Sequence, residues 1–211
     1  MICGVDEAGK GAVLGPLVVA AVACGSDDEA AATGARDSKT LTPGRREEIY
    51  AEITALFKVA TRTILPREID ARPARSLNLC IARAHAAVVS DLGPGLAILD
   101  ACDVDAKRYG RTVAGYLTCR CRIRSVHEAD RIHPVVGAAS IVAKVLRDRA
   151  IAALAREHGE IGSGYPSDPV TIAWMREYLA ERRAPPPFAR ASWATTRELM
   201  AELFQSHVTD F

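Results

Sequence analysis

Four acidic positions offer this chain most of its chemistry. Asp6 and Glu7 stand side by side after a short apolar run, Asp100 closes the run Leu96-Ala97-Ile98-Leu99, and Asp130 falls shortly before the longest helical pattern. Adjacent carboxylates at the end of a buried strand cost free energy if left bare, and a bound cation is the simplest compensation. With no fixed histidine or cysteine partner, an all-oxygen donor set suits hard cations such as magnesium or manganese. Two such ions can clamp the attacking water and the leaving oxygen of a phosphoryl displacement. Alternatives stand beside this reading. Asp6 and Glu7 alone read equally as two solvated acids in a turn, and Asp103 and Asp105 compete with Asp100. Asp100 is favoured because the apolar run delivers it to a strand end.

The elements that must position these acids follow from periodicity and punctuation. An apolar opening strand, a glycine-rich turn and a returning strand from Leu17 to Cys24 make a hairpin. Because side chains alternate along a strand, Asp6 and Glu7 can share one site only if the strand breaks or bulges there. Residues 25–37 read as a surface loop. Thr42 as N-cap and Pro43 at the first helical position open a helix to about Phe57. A strand over 58–65, a short helix from Pro66 and a helix over 77–92 follow. Asp100 then ends a central strand, ahead of a helix over 106–117, a strand over 119–127 and a helix over 134–158 capped by Gly159. Beyond a rigid loop at 162–169 lie helices over 170–183 and 192–205. This order is that of an α/β fold, and ligands of such sheets bind beyond the carboxyl ends of the strands.

Composition bounds the rest. The chain has 211 residues, 49% of them hydrophobic and 25% charged, as in an ordinary globular protein. Its apolar runs are far shorter than a membrane span, and the N-terminus lacks a signal-peptide pattern, so a cytoplasmic location is the default. The net charge of +1 neither demands nor excludes nucleic acid. A local excess of Lys107, Arg108, Arg111, Arg120, Arg122, Arg124 and Arg131 could track phosphates, or be a solvated face. The six cysteines lack zinc spacing and read as reduced packing residues. The five histidines are scattered and read as structural or solvent-facing.

Several blocks carry a family resemblance. Gly4-Val5-Asp6-Glu7-Ala8-Gly9-Lys10-Gly11 with Gly15-Pro16-Leu17-Val18 resembles the opening signature of type 2 ribonuclease H (ribonuclease HII). Arg36-Asp37-Ser38-Lys39, Leu99-Asp100-Ala101-Cys102-Asp103-Val104, Ala129-Asp130, the stretch from Ala138 to Val145 and the stretch from Gly162 to Asp168 resemble that family's other blocks, in order and nearest to archaeal members. The resemblance implies a ribonuclease H-like five-stranded mixed sheet flanked by helices, with a helical C-terminal extension. It implies one catalytic domain, a core over 1–158 and the extension over 159–211. The implied activity is endonucleolytic cleavage of the RNA strand of RNA–DNA hybrids and incision of DNA at embedded ribonucleotides.

By the same resemblance Asp6, Glu7, Asp100 and Asp130 are the catalytic, metal-binding acids for two magnesium or manganese ions. The turn Gly9-Lys10-Gly11 reads the 2′-hydroxyl through its backbone, and Tyr165 stacks on the next sugar. Lys39, Lys144 and Arg147 are candidate phosphate binders, and Ser140 a candidate for positioning substrate. Lys10 departs from the usual arginine, exchanging a planar fork for a point charge. The tail places Gln205, Val208 and Phe211 at the spacing of a sliding-clamp docking motif, with a frayed terminus as the alternative. A monomer is expected. Two other readings compete. The four acids argue against a silent hybrid-binding module. A type 3 ribonuclease H usually carries an extra N-terminal domain, whereas this chain opens on its first strand.

Overall fold

The computed structural model describes residues 1–35, 41–71 and 77–205. Its strands are β1 (Ile2–Ala8), β2 (Leu17–Cys24), β3 (Lys58–Ile64), β4 (Leu96–Asp100) and β5 (Arg122–Val126). They form one five-stranded sheet in the order β3-β2-β1-β4-β5. β1 is antiparallel to β2 and parallel to β4, which is parallel to β5, so the sheet is mixed. The helices are α1 (Asp27–Ala32), α2 (Pro43–Leu56), α3 (Pro66–Asp70), α4 (Leu77–Leu92), α5 (Ala106–Ala114), α6 (Ala129–Ile132), α7 (Pro134–His158), α8 (Pro169–Arg182) and α9 (Ala194–Gln205).

Local chemistry accounts for many of these boundaries. The Thr42 hydroxyl accepts the Arg45 N–H at the start of α2, with Pro43 just inside. Asp105 caps α5 through the Arg108 N–H, and Asp168 caps α8 through the Val170 N–H. The stretch expected to be a loop at 25–37 contains α1. Ser26 caps it and three acids occupy its first turn, where they complement the helix dipole.

The chain divides into two compact units. One comprises Met1–Ala8, Val18–Thr63 and Pro73–Leu146, and so holds nearly all of the sheet. Its core sets Ala20 and Val22 of β2 against Ile49 and Ile53 of α2 and Ala138, Ala139 and Val142 of α7. Burying an isoleucine completely is worth about 1.5–3 kcal/mol, and Ile49 and Ile53 are both essentially inaccessible. Gly4 of β1 meets the start of α7 backbone to backbone, since a methyl there would run into Val135 and Val136.

The other unit comprises Gly9–Leu17, Ile64–Arg72 and Arg147–Phe211. Val13, Leu14, Ile151, Ile161, Met175, Leu179 and Leu199 form its core. Among the described residues no helix is long and apolar enough to cross a membrane.

Candidate active site

β1 runs unbroken to Ala8, pairing Asp6 with Ala20 and Glu7 with Val19. The strand neither breaks nor bulges there, so alternation sends the two side chains to opposite faces, and they act on one another around the end of the sheet and not on a shared face. Asp6 turns toward α7, where the Ser140 hydroxyl hydrogen-bonds it. Glu7 turns toward α4, where its Oε2 lies 3.2 Å from Nε2 of His85.

Asp100 ends β4 one step past the Val5–Leu99 pair, level with Asp6 on the neighbouring strand. Its Oδ1 accepts the Ala129 N–H at 3.1 Å, so the residue preceding Asp130 is tied to it. Asp130 is buried in α6. The Asp6 carboxyl is pushed well above the usual aspartate range, first by burial and then by the charges of Glu7 and Asp100, with Ser140 opposing. Three acids on two strands thus act on one another at a single sheet end.

Asp103 and Asp105 are engaged elsewhere. Asp103 bonds Arg108, receives the Asn78 amide at 3.2 Å and the Asp105 N–H at 3.2 Å, and these donors lower its pKa. Asp105 caps α5.

Among the described residues, no three His, Cys, Asp or Glu side chains stand close enough to cage a metal ion by themselves. The all-oxygen donor set fits a magnesium-like ion nonetheless. Such an ion keeps several waters and takes only one or two carboxylates, with substrate phosphate completing its shell.

His85 escaped sequence reasoning. It is inaccessible, and its Nδ1 lies 3.1 Å from the Tyr109 hydroxyl. Its place four residues after Ile81 and three before Val88, both buried, marks the inward face of α4 and was the available signal. Ser140, the candidate for positioning substrate, is 1% exposed, and its hydroxyl hydrogen-bonds Asp6. Lys144 is half-buried on α7, while Lys39 lies outside the described residues, as do Val208, Phe211 and the side chain of Gln205.

In the second unit, Lys10 and Gly11 are the centre of a turn closed by the Ala12 N–H on the Gly9 carbonyl at 3.3 Å. Gly9 has φ +88°, and a Cβ there would stand 2.7 Å from both Arg147 Nε and the Pro16 carbonyl. Arg147 is 3% exposed, so it is not the surface phosphate binder expected. Its guanidinium lies 4.3 Å from the centre of the Tyr165 ring and donates to the Ser163 carbonyl at 3.0 Å. The Gly164 carbonyl accepts the N–H groups of Val13 and Leu14 at 2.8 and 3.0 Å. Arg147 and Gly164 thereby lock the Gly9 turn and the Tyr165 loop into one assembly.

A mixed sheet with acids gathered at its carboxyl ends defines a ribonuclease H-like nuclease, and comparison with known proteins makes the class specific. The family model described as ribonuclease HII matches residues 3–196. The ribonuclease HII of Methanoregula boonei is 56% identical over all of both chains. The crystal structure of the ribonuclease H2 from Pyrococcus horikoshii superposes with a TM-score of 0.91 at 35% identity, covering 97% of this chain and 99% of that one. The Archaeoglobus fulgidus ribonuclease HII, solved in complex with PCNA, gives 0.86 at 40% identity, covering 94% and 96%.

The chain belongs to the ribonuclease HII family. It is a metal-dependent endoribonuclease that cleaves the RNA strand of RNA–DNA hybrids and incises duplexes at embedded ribonucleotides.

Proposed function

We propose that Asp6, Glu7, Asp100 and Asp130 are its catalytic acids and hold two divalent ions, magnesium or manganese. The observation that carries this is the placement of Asp6 and Asp100 level with one another at the ends of adjacent parallel strands, with Glu7 next in the chain, where burial and then the charges of Glu7 and Asp100 raise the Asp6 carboxyl. Such crowding destabilises the bare protein and is relieved by a cation. When bound, the ions lower the pKa of the attacking water and neutralise charge on the departing 3′ oxygen. The protein's own part is to hold the oxygens still. Ser140 fixes Asp6, His85 fixes Glu7, and the Ala129 N–H fixes Asp100. Cleavage leaves 3′-hydroxyl and 5′-phosphate ends.

The turn Gly9-Lys10-Gly11 reads the 2′-hydroxyl, the group that separates ribose from deoxyribose. Tyr165, half-buried and backed by Arg147, offers its ring to the adjoining sugar. Lys10, Lys39 and Lys144 supply charge for phosphates. The chain acts as a monomer in the cytoplasm.

The test uses a DNA duplex bearing one ribonucleotide. Asp6→Asn and Asp100→Asn keep shape but remove a negative ligand, and each is expected to cut cleavage at least about a thousandfold. Magnesium is expected to raise the melting temperature of the parent protein and to do so less in either variant. Normal turnover by a variant overturns the assignment.

The tail is proposed to dock on the sliding clamp through Gln205, Val208 and Phe211. Support comes from the spacing of those residues and from the Archaeoglobus relative solved with PCNA. Clamp capture unaffected by deleting residues 205–211 removes this idea.

A further inference from the structure

We infer that Arg190 is a positioning residue that sets the orientation of the turn at Lys10-Gly11, and with it the enzyme's ability to recognise a 2′-hydroxyl. This rests on the reading that the turn contacts the sugar.

Arg190 is wholly inaccessible. Its Nη2 donates to the Gly9 carbonyl at 2.6 Å and to the Gly15 carbonyl at 3.4 Å, and its Nη1 donates to the Lys10 carbonyl at 3.0 Å. The arginine is itself held firmly. Its N–H donates to the Val13 carbonyl at 2.9 Å, and its carbonyl accepts the Thr196 hydroxyl at 2.9 Å. The next two residues are pinned by Asp70, which accepts the N–H groups of Ala191 and Ser192 and the Ser192 hydroxyl at 2.6–3.0 Å. A rigid, buried fork of donors therefore reaches two consecutive carbonyls of one turn.

The peptide joining Lys10 to Gly11 is planar and trans, so its C=O and N–H point in opposite directions. With the Lys10 carbonyl drawn inward to Arg190, the Gly11 N–H must point away from it, and Gly11 is exposed. This orientation is not the one the local sequence prefers. A glycine third in a four-residue turn favours the type II form, in which the central peptide is flipped and the glycine takes positive φ. Gly11 is absent from the residues with positive φ. Arg190 thus holds the central peptide against its easy flip. In the flipped form an outward carbonyl would replace the outward amide.

Among the described residues, nothing lies within 4 Å of where a Gly11 side chain would begin. The fold does not require a bare residue there, but the approach of a sugar does. An outward amide next to open space is a donor for the 2′-oxygen, and the inward arginine keeps it available.

The test compares duplexes differing by one 2′-hydroxyl, with binding measured in EDTA so that nothing is cut. Arg190→Lys keeps the charge but loses the fork. The unaltered protein is expected to prefer the ribonucleotide duplex; if it does not, the sugar-reading function itself fails. Given that preference, Arg190→Lys is expected to reduce it about tenfold, with all-DNA affinity little changed. A folded variant with its preference intact overturns the inference and leaves the function standing.

If Arg190→Lys does not fold, amide exchange in the unaltered protein decides. The Gly11 amide is expected to be protected by the ribonucleotide duplex and not by the all-DNA duplex. Equal protection by both overturns the inference.

Discussion

His85 stands between an acid and a phenol, its Nε2 3.2 Å from Glu7 and its Nδ1 3.1 Å from the Tyr109 hydroxyl. Both ring nitrogens are thus engaged, and the buried imidazole holds the Glu7 carboxylate in one orientation. Burial, followed by the neighbouring Cys102 and Glu7, pushes the Tyr109 phenol far up, so it keeps its proton at any working pH. His85→Leu is expected to lower kcat more than about tenfold with KM nearly unchanged, because Glu7 loses its fixed orientation. Stability is expected to fall by about 1–3 kcal/mol as buried groups lose partners. Steady-state kinetics and urea unfolding check both figures.

Asp100 and Asp103 separate cleanly under the same exchange. Asp100→Asn is expected to abolish cleavage with the fold intact. Asp103→Asn loosens a partly exposed ion pair with Arg108, worth under about 1 kcal/mol. It is expected to keep activity within about threefold of the parent. A dead Asp103→Asn with normal melting would exchange the two roles.

Gly9 and Gly11 are both glycine for different reasons, and alanine tells them apart. At Gly9 it meets positive φ and Arg147, so stability is expected to fall by about 1–3 kcal/mol. At Gly11 it meets open space, so melting is expected to be unchanged while cleavage at a single ribonucleotide drops about tenfold or more. Circular-dichroism melts beside cleavage assays make the comparison.

Much of this architecture was legible in the chain. The apolar runs ending at Asp6 and Asp100 gave the central strands, and Thr42-Pro43 gave the start of α2, because strand ends and caps are local signals. Sharing of the sheet end by Asp6 and Glu7 was misjudged in one respect. A break or bulge is not needed, because a regular strand lets each acid meet a different helix at the same sheet end. Arg147 reads as a candidate phosphate binder from its charge alone, but it follows Ala139 and Ala143 at four-residue spacing on the buried stripe of α7. The role of Arg190 depends on contacts about 180 residues away along the chain, and no local pattern carries that.

Acid lability is expected to concentrate in the loop carrying Tyr165. Asp168 accepts the Ser163 N–H at 2.6 Å and the Val170 N–H at 3.0 Å, and these bonds hold its pKa down to about 2. A depressed folded value means the unfolded chain takes up the proton first. Its stabilisation is therefore complete above the ordinary aspartate value of about 3.9 and lost as pH falls toward 2. Asp168→Asn is expected to melt lower than the parent at pH 7, with the gap closing over that window. A gap independent of pH would assign the loss to something other than the charge.

At Gly4 the central strand and the long helix touch through bare main chain, two residues before Asp6. No side chain there can be trimmed or lengthened to retune the reach between Asp6 and Ser140. Variation that altered this distance, in nature or by engineering, would have to work through the lengths of the segments feeding the helix. The acid–hydroxyl spacing is in that sense a fixed gauge, which neighbouring substitutions can weaken but not reset.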